Sequence, residues 1–234
     1  MPEGRAISRS VLADQVKDRL LQDILSGRYP PHSRIVETRV ARELGTSQAP
    51  VREALRGLEA LGLVEILAFR GARVRRPSTA ELLEAYAVRA ELEALGARLG
   101  VPRMTDDDLL ELEALGEAMQ QAAARGDRRE VAVADAEFHA RLLSLAGNGT
   151  LERVWQSLEP YSRTYITLFA PGADAHWTAD LHPSIVRALR TRDVGQVEGA
   201  LRRHFDEAGA HLAGGWGADE SAPAPEPAGT RASP

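Results

Sequence analysis

Residues 10–74 contain three short segments with helical apolar spacing, each ended by a glycine, and then two segments of β type. The three segments cover residues 10–27, 35–44 and 48–62. Ser47 can cap the third helix, and Pro50 is tolerated in its first turn. The third helix has one buried stripe: Val51, Leu55, Leu58 and Leu61. "LVEIL" and "ARVRR" then flank "AFRG", which predicts a β-hairpin. This order predicts a winged helix-turn-helix, whose third helix enters the major groove and whose hairpin is the wing.

Everything between residues 77 and 213 is predicted to be helical. Pro77 and Ser78 mark the start, because Ser78 and Glu81 have the spacing of a capping box. The predicted helices cover residues 79–100, 106–125, 128–146, 150–170, 183–191 and 194–213. The fold class is therefore mostly α, with a winged helix-turn-helix over residues 1–76 and an all-α bundle over residues 77–213. Residues 214–234 are rich in Pro, Ala, Gly and acidic residues, and we expect them to be disordered.

The net charge of −5 is unevenly distributed along the chain. Residues 1–78 hold 14 Lys+Arg and 9 Asp+Glu, a balance of +5, while the other 156 residues hold 15 and 25, a balance of −10. A basic first third suits a nucleic-acid partner. The chain has no cysteine, so any metal must be bound by His, Asp or Glu. No 18-residue apolar run or secretory signal is present, which predicts a cytoplasmic protein with no membrane partner.

Asp135 and His139 lie one turn apart in "DAEFHARL", on nearly the same face of a predicted helix. His182 begins another predicted helix, and His204 lies within the last one. One Asp and three His suit a divalent metal such as Zn²⁺, Ni²⁺ or Mn²⁺, and helix bundles place such ligands on facing helices. Spacing alone leaves open that these residues form a hydrogen-bonded polar core.

Several ordered motifs resemble a known family. "ILSGRYPP", "RIVETRVARELG", "PVREALRGLEALGLVE" and "RGARV" resemble the N-terminal domain of GntR-family transcription regulators. "DAEFHARLLSLAGN", "DLHPSIVRAL" and "ALRRHF" resemble the ligand-binding FCD domain of the FadR-type branch. The resemblance covers roughly residues 10–212 and implies a homodimeric, DNA-binding regulator, most often a repressor, that binds a palindromic operator and responds to a small-molecule effector.

Arg52, in the first turn of the third helix, is the first candidate for DNA contact, because arginine can bind a phosphate or a guanine with two hydrogen bonds. The family usually has arginine at two further positions, where this chain has Thr38 and Gln48. Since Gln prefers adenine, we expect an operator that differs from the common family sequence. The other candidate contacts are Arg39, Ala49, Arg70, Gly71 and Arg73.

The resemblance also implies a metal site, because one subset of FCD domains binds a divalent metal through an Asp, a His four residues later, and two His about 22 residues apart. In this chain His182 and His204 are also 22 residues apart. Pro183 makes His182 a predicted helix N-cap residue, which leaves its direction open, and His176 is an alternative ligand. The metal could bind a small carboxylate effector, with Arg89, Asn148 and Arg163 as further donors.

Three alternatives remain at this point. The metal could be purely structural, with the effector bound elsewhere. A metal with open positions could activate water in a hydrolase, although Glu137 points away from Asp135 and no other base is evident. An acyl-CoA sensor is disfavoured, because a metal would fill the centre of the bundle.

Overall fold

The computed structural model describes residues 9–67, 70–75, 79–158, 160–168 and 174–216. Its elements in chain order are α1 Arg9–Leu25, β1 Arg34–Ile35, α2 Glu37–Glu43, α3 Gln48–Ala60, β2 Val64–Leu67, β3 Gly71–Val74, α4 Thr79–Gly100, α5 Asp106–Ala124, α6 Arg128–Ser144, α7 Gly149–Gln156, α8 Pro160–Thr167, α9 Ala175–Asp180, α10 His182–Thr191 and α11 Val194–Trp216. A 3-10 turn, Val101–Arg103, follows α4. The structure confirms the predicted mostly α fold class.

Residues 9–67 and 70–75 form the predicted winged helix-turn-helix. Helices α1 and α3 pack together, and Leu20 and Leu21 of α1 and Leu58 of α3 are buried. All four residues of the predicted α3 stripe are buried as well. Strands β2 and β3 form the predicted antiparallel hairpin, with Val64 opposite Val74 and Leu67 opposite Gly71.

Two details of this region differ from the sequence analysis. Ile35, predicted to begin a helix, instead lies in β1, which pairs with β3 and completes a sheet of order β1-β3-β2. A strand of two residues is too short to show an alternating pattern, so only its partner strand reveals it. Ser47 is the N-cap residue of α3, but its side chain makes no capping hydrogen bond.

The helical region is built around α6. Helix α4 packs along α11, and α6 contacts α4, α5 and α8. Thr105 forms a capping box at the start of α5: its Oγ1 accepts from the Asp108 N–H, and Asp108 Oδ2 accepts from the Thr105 N–H. Asp127 caps α6 by accepting from the N–H of Glu130. These caps satisfy N–H groups that a helix start leaves without partners.

The predicted helix over residues 150–170 is wrong, because two helices occupy this stretch. Helix α7 ends at Gln156, and α8 begins at Pro160. Proline has no N–H to donate inside a helix, so it fits at a helix start. Helix α9 was not predicted; Asp174 caps it by accepting from the His176 N–H. His182 is the first residue of α10 rather than its N-cap, which is Leu181.

Several expectations concern residues that the structure does not describe. These are the domain boundary at residues 76–77, the Ser78 capping box and most of the tail, residues 217–234. Residues 214–216, predicted to be part of that tail, belong to α11. Among the helices that the structure describes, none is long and apolar enough to cross a membrane.

Candidate metal centre and nucleic-acid interface

Four buried side chains from three helices meet in the helical region. Asp135 and His139 come from α6, His182 from α10 and His204 from α11, and each is at least 95% buried. One potential ligand atom from each of the four lies within 4.8 Å of those of the other three. The tertiary structure therefore brings together the four residues that the sequence and the resemblance proposed as ligands.

Hydrogen bonds orient two of these side chains. His182 Nδ1 lies 3.1 Å from the carbonyl oxygen of Thr178, so a proton on Nδ1 leaves Nε2 free. His182 Nε2 lies 3.3 Å from Asp135 Oδ1 and 3.3 Å from His139 Nε2. The other Asp135 oxygen, Oδ2, accepts a 2.8 Å hydrogen bond from the Thr164 hydroxyl. Three potential ligand atoms thus face one another.

His204 shows most directly that the residues suit a metal. Its Nδ1 is buried and has no hydrogen-bond partner among the described residues. A buried nitrogen without a partner is costly, and a metal ion would remove that cost. Three imidazoles and one carboxylate, without thiolate, form the donor set expected for Zn²⁺, Ni²⁺ or Mn²⁺.

Electrostatics favour the protonation states that a metal requires. Burial raises the pKa of Asp135, but the neighbouring imidazoles of His182 and His139 and the positive charge of Arg89 outweigh it and hold the pKa far below its ordinary value. Burial, which disfavours the charged imidazolium, lowers the pKa of His204 well below its ordinary value. Asp135 is therefore an anion and His204 a neutral imidazole at neutral pH.

A small cavity adjoins two of the four residues, Asp135 and His204. Its volume is about 20 Å³, room for about one water molecule. Asp135 and His204 line it together with Arg89, whose Nη2 is buried without a hydrogen bond to any described residue, although it lies 3.2 Å from Glu93 Oε1. The other described lining residues are Tyr86, Thr164, Thr167, Trp177, Thr178, Leu181, Phe205 and Ala208. Arg89 thus presents an unused donor beside the candidate metal ligands.

Two of the three predicted effector contacts lie elsewhere. Asn148 is the N-cap of α7, where its side-chain oxygen accepts from the N–H groups of Thr150 and Leu151. Arg163 donates from Nε to the carbonyl of Leu158 at 2.7 Å. Neither residue is among the described residues that line the cavity. His176, the alternative ligand, is exposed on α9 and is not part of the four-residue cluster.

The predicted DNA contacts on the helices share one exposed surface. Thr38 and Arg39 are exposed on α2, and Gln48, Ala49 and Arg52 are exposed at the start of α3. Within this surface Arg39 pairs with Glu43, and Arg52 pairs with Glu37, each at 2.9 Å. The α3 N-terminus therefore presents one guanidinium and one amide side chain to solvent.

The wing carries the remaining predicted contacts. Arg70 and Arg73 are exposed, and Arg73 pairs with Glu65 at 2.6 Å. Gly71 has φ +83°, and a Cβ at this position would lie 2.3 Å from the carbonyl oxygen of Ile35. Backbone conformation and the close approach of Ile35 therefore both require glycine at position 71, independently of any contact with DNA.

Sequence reasoning missed Glu93, which is fully buried beside His139. One signal could have revealed it. Arg89 and Glu93 lie four residues apart on the face of α4 that otherwise carries Leu82, Ala90 and Ala97. A charged pair within an apolar helix face indicates a buried polar network. The threonine hydroxyls of the cavity carry no comparable sequence signal.

A winged helix-turn-helix joined to a helical domain with a buried polar cavity defines a DNA-binding regulator with a sensor domain. Residues 12–74 match "Bacterial regulatory proteins, gntR family", and residues 84–207 match the FCD domain. The chain belongs to the GntR family of transcription regulators and carries an FCD domain. The resemblance inferred from the sequence is thereby confirmed, as is the function of an effector-controlled, DNA-binding transcriptional regulator.

Individual relatives agree with this assignment. The chain is 36% identical over 215 residues to the "Probable D-xylose utilization operon transcriptional repressor" of Paenarthrobacter nicotinovorans, covering 91% of this chain and 95% of the relative. It is 26% identical over 209 residues to the gluconate operon transcriptional repressor of Bacillus licheniformis, covering 86% and 85%. Among solved structures, E. coli McbR/YncC has the same fold, with a TM-score of 0.68 at 24% identity over 86% of this chain and 96% of that one.

Proposed function

We propose that the chain is a cytoplasmic, homodimeric repressor that releases its operator when a small carboxylate binds at a metal-containing pocket. One observation carries this proposal: the ligand atoms of Asp135, His139, His182 and His204 converge, and Arg89, whose Nη2 makes no hydrogen bond to a described residue, lines a cavity with Asp135 and His204. Residues 1–76 would form the DNA-binding domain and residues 77–213 the effector domain. Two copies would present two α3 helices to the half-sites of a palindrome.

Asp135, His139, His182 and His204 would hold a divalent ion, with Zn²⁺, Ni²⁺ and Mn²⁺ as the candidates. The ion would supply positive charge to which a carboxylate oxygen can bind. Arg89, which lines the cavity, would donate to the same acid, since arginine suits carboxylates. Thr164 also lines the cavity, and its hydroxyl oxygen, whose proton is donated to Asp135 Oδ2, could accept a hydrogen bond from a hydroxylated acid. Thr167 lines the cavity as well.

The names of the relatives narrow the class of effector. One refers to a D-xylose utilization operon and another to a gluconate operon. We propose a sugar-derived carboxylate for this chain. Such an acid is larger than a cavity of about 20 Å³, so the effector domain must open to admit it. Stronger binding to the open form would shift the population away from the DNA-binding form.

The first test is metal content per chain, measured by elemental mass spectrometry on untagged protein purified without chelator. A His139→Ala/His204→Ala double variant is measured beside it, and Arg98→Ala, an exposed residue that is not part of the cluster, is the control. We expect about one equivalent in wild type and in the control, and none in the double variant. If neither wild type nor the double variant contains metal, the metal site is rejected. The four residues would then form a polar cluster that binds anions directly.

The second test separates a ligand-binding metal from a structural one. Sugar acids are screened for release of operator DNA, measured by fluorescence anisotropy with wild type and Arg89→Leu. We expect a sugar acid to release wild type but not the variant, while both bind DNA equally without the acid. If chelation lowers the melting temperature but leaves acid affinity unchanged, the metal is structural and the effector binds elsewhere.

A further inference from the structure

Glu93 of α4 is fully buried, and both of its carboxylate oxygens have partners. Oε2 makes a short hydrogen bond with His139 Nδ1. Oε1 accepts from Trp155 Nε1 at 2.7 Å and from Arg89 Nε at 3.2 Å. Three donors from α4, α6 and α7 therefore converge on one carboxylate.

We propose that Glu93 is a positioning residue that sets the tautomer and the direction of His139 for metal binding. The inference rests on the proposed metal site and deepens it. A carboxylate beside Nδ1 accepts a hydrogen bond from Nδ1–H, so that nitrogen keeps the proton and the lone pair of His139 lies on Nε2. His139 Nε2 is the atom that faces the cluster, 3.3 Å from His182 Nε2 and 3.8 Å from Asp135 Oδ1.

A role in folding alone does not account for a carboxylate here. A buried anion carries a large desolvation cost unless it is paired, and an apolar side chain of similar size avoids that cost. Each carboxylate oxygen of Glu93 has its own partners: one contacts a candidate metal ligand, and the other contacts Arg89 and Trp155. A carboxylate on the far nitrogen of a metal-bound His raises the basicity of that ligand and fixes its orientation.

Glu93 also connects the proposed effector contact, Arg89, with the candidate metal ligand His139. The Arg89 guanidinium borders the cavity, and Glu93 lies between it and His139. An acid that binds Arg89 changes the charge that Glu93 faces, and Glu93 in turn contacts a metal ligand. Effector and metal would therefore influence each other's affinity by the same factor, as linkage requires.

The test titrates metal-free protein with Co²⁺ alone and measures affinity by competition with a chromophoric chelator. Wild type is compared with Glu93→Gln, Glu93→Leu and the matched control Glu198→Gln, a half-buried glutamate on α11 that pairs with Arg98 and Arg202. We expect Glu93→Leu to weaken Co²⁺ binding by about 10–100-fold, and Glu93→Gln by less, because an amide oxygen still accepts from Nδ1–H. The visible Co²⁺ bands should shift in both Glu93 variants and not in the control.

The outcomes separate this inference from the metal proposal. If wild type binds no Co²⁺, the metal proposal itself fails. If wild type binds one equivalent and the Glu93 variants match Glu198→Gln in affinity and spectrum, only the role of Glu93 is overturned. Should the Glu93 variants not fold, nitrogen NMR of the Zn²⁺-loaded wild type decides: we expect His139 protonated at Nδ1 and bound through Nε2, and the reverse would reject the inference.

Discussion

Arg52 of α3 and Glu37 of α2 form an ion pair of 2.9 Å, while the Arg52 side chain remains 56% exposed. The pair joins the two helices of the helix-turn-helix at the surface that we propose for DNA contact. A surface ion pair contributes little to stability. Its consequence is instead geometric, because Glu37 limits the directions in which the Arg52 guanidinium can point.

Replacing Arg52 by alanine should weaken operator binding by about 10–100-fold, the usual cost of one base-contacting arginine. The measurement is fluorescence anisotropy on a selected binding site at fixed salt, because phosphate contacts depend on salt. Arg98→Ala is the matched control, since Arg98 is also exposed and paired with a glutamate, Glu198, but lies on α4. Equal affinities for the two variants would exclude Arg52 from the interface.

Gln48, exposed as the first residue of α3, should specify adenine at one operator position. Selection of sites from random DNA with wild type and Gln48→Arg tests this. We expect the variant to change one base in each half-site from adenine to guanine, because arginine binds guanine O6 and N7. Identical selected sites would show that residue 48 does not read a base.

Gly71→Ala should destabilise the winged domain by roughly 2 kcal/mol or more, because alanine is strained at positive φ and its Cβ would collide with the Ile35 carbonyl. Gly45→Ala is the control for backbone strain alone: it has φ +64°, but nothing lies within 4 Å of a Cβ there. Its cost should be about 1–2 kcal/mol. Thermal unfolding measures both, and equal losses would contradict the close approach between the wing and Ile35.

Acid should destabilise the chelator-treated protein through His204. Its pKa in the folded state lies well below the value of about 6.5 expected when unfolded, so below pH 6.5 the unfolded chain binds more protons. The stability from this group is complete above pH 6.5 and is lost as the pH falls. Between pH 7.5 and 5.5 we expect a loss of about 1 kcal/mol that a His204→Asn variant does not show, measured by urea unfolding. Parallel pH profiles would contradict the burial of a neutral His204.

Local patterns in the sequence sufficed to predict the helix-turn-helix, the hairpin and most of the bundle. Periodic apolar residues and caps act within a few positions of one another, so the buried stripe of α3 and the capping box of Thr105 are visible without tertiary structure. The same local logic failed at Ile35, because a strand of two residues has no period. It also failed where α7 ends at Gln156 and a separate helix, α8, begins at Pro160.

The four candidate ligands were identified from residue types, spacing and family resemblance, but their convergence belongs to the tertiary structure. Which donors surround them depends on helices far apart in the chain. Glu93 and His139 are 46 positions apart, and Trp155 lies 62 positions from Glu93. Asn148 and Arg163 were plausible effector contacts by residue type, yet one caps a helix and the other binds a backbone carbonyl. The sequence by itself determines residue chemistry and apolar periodicity. The tertiary structure determines which donor pairs with a buried charge, because only helix packing excludes water and brings specific donors within hydrogen-bond distance.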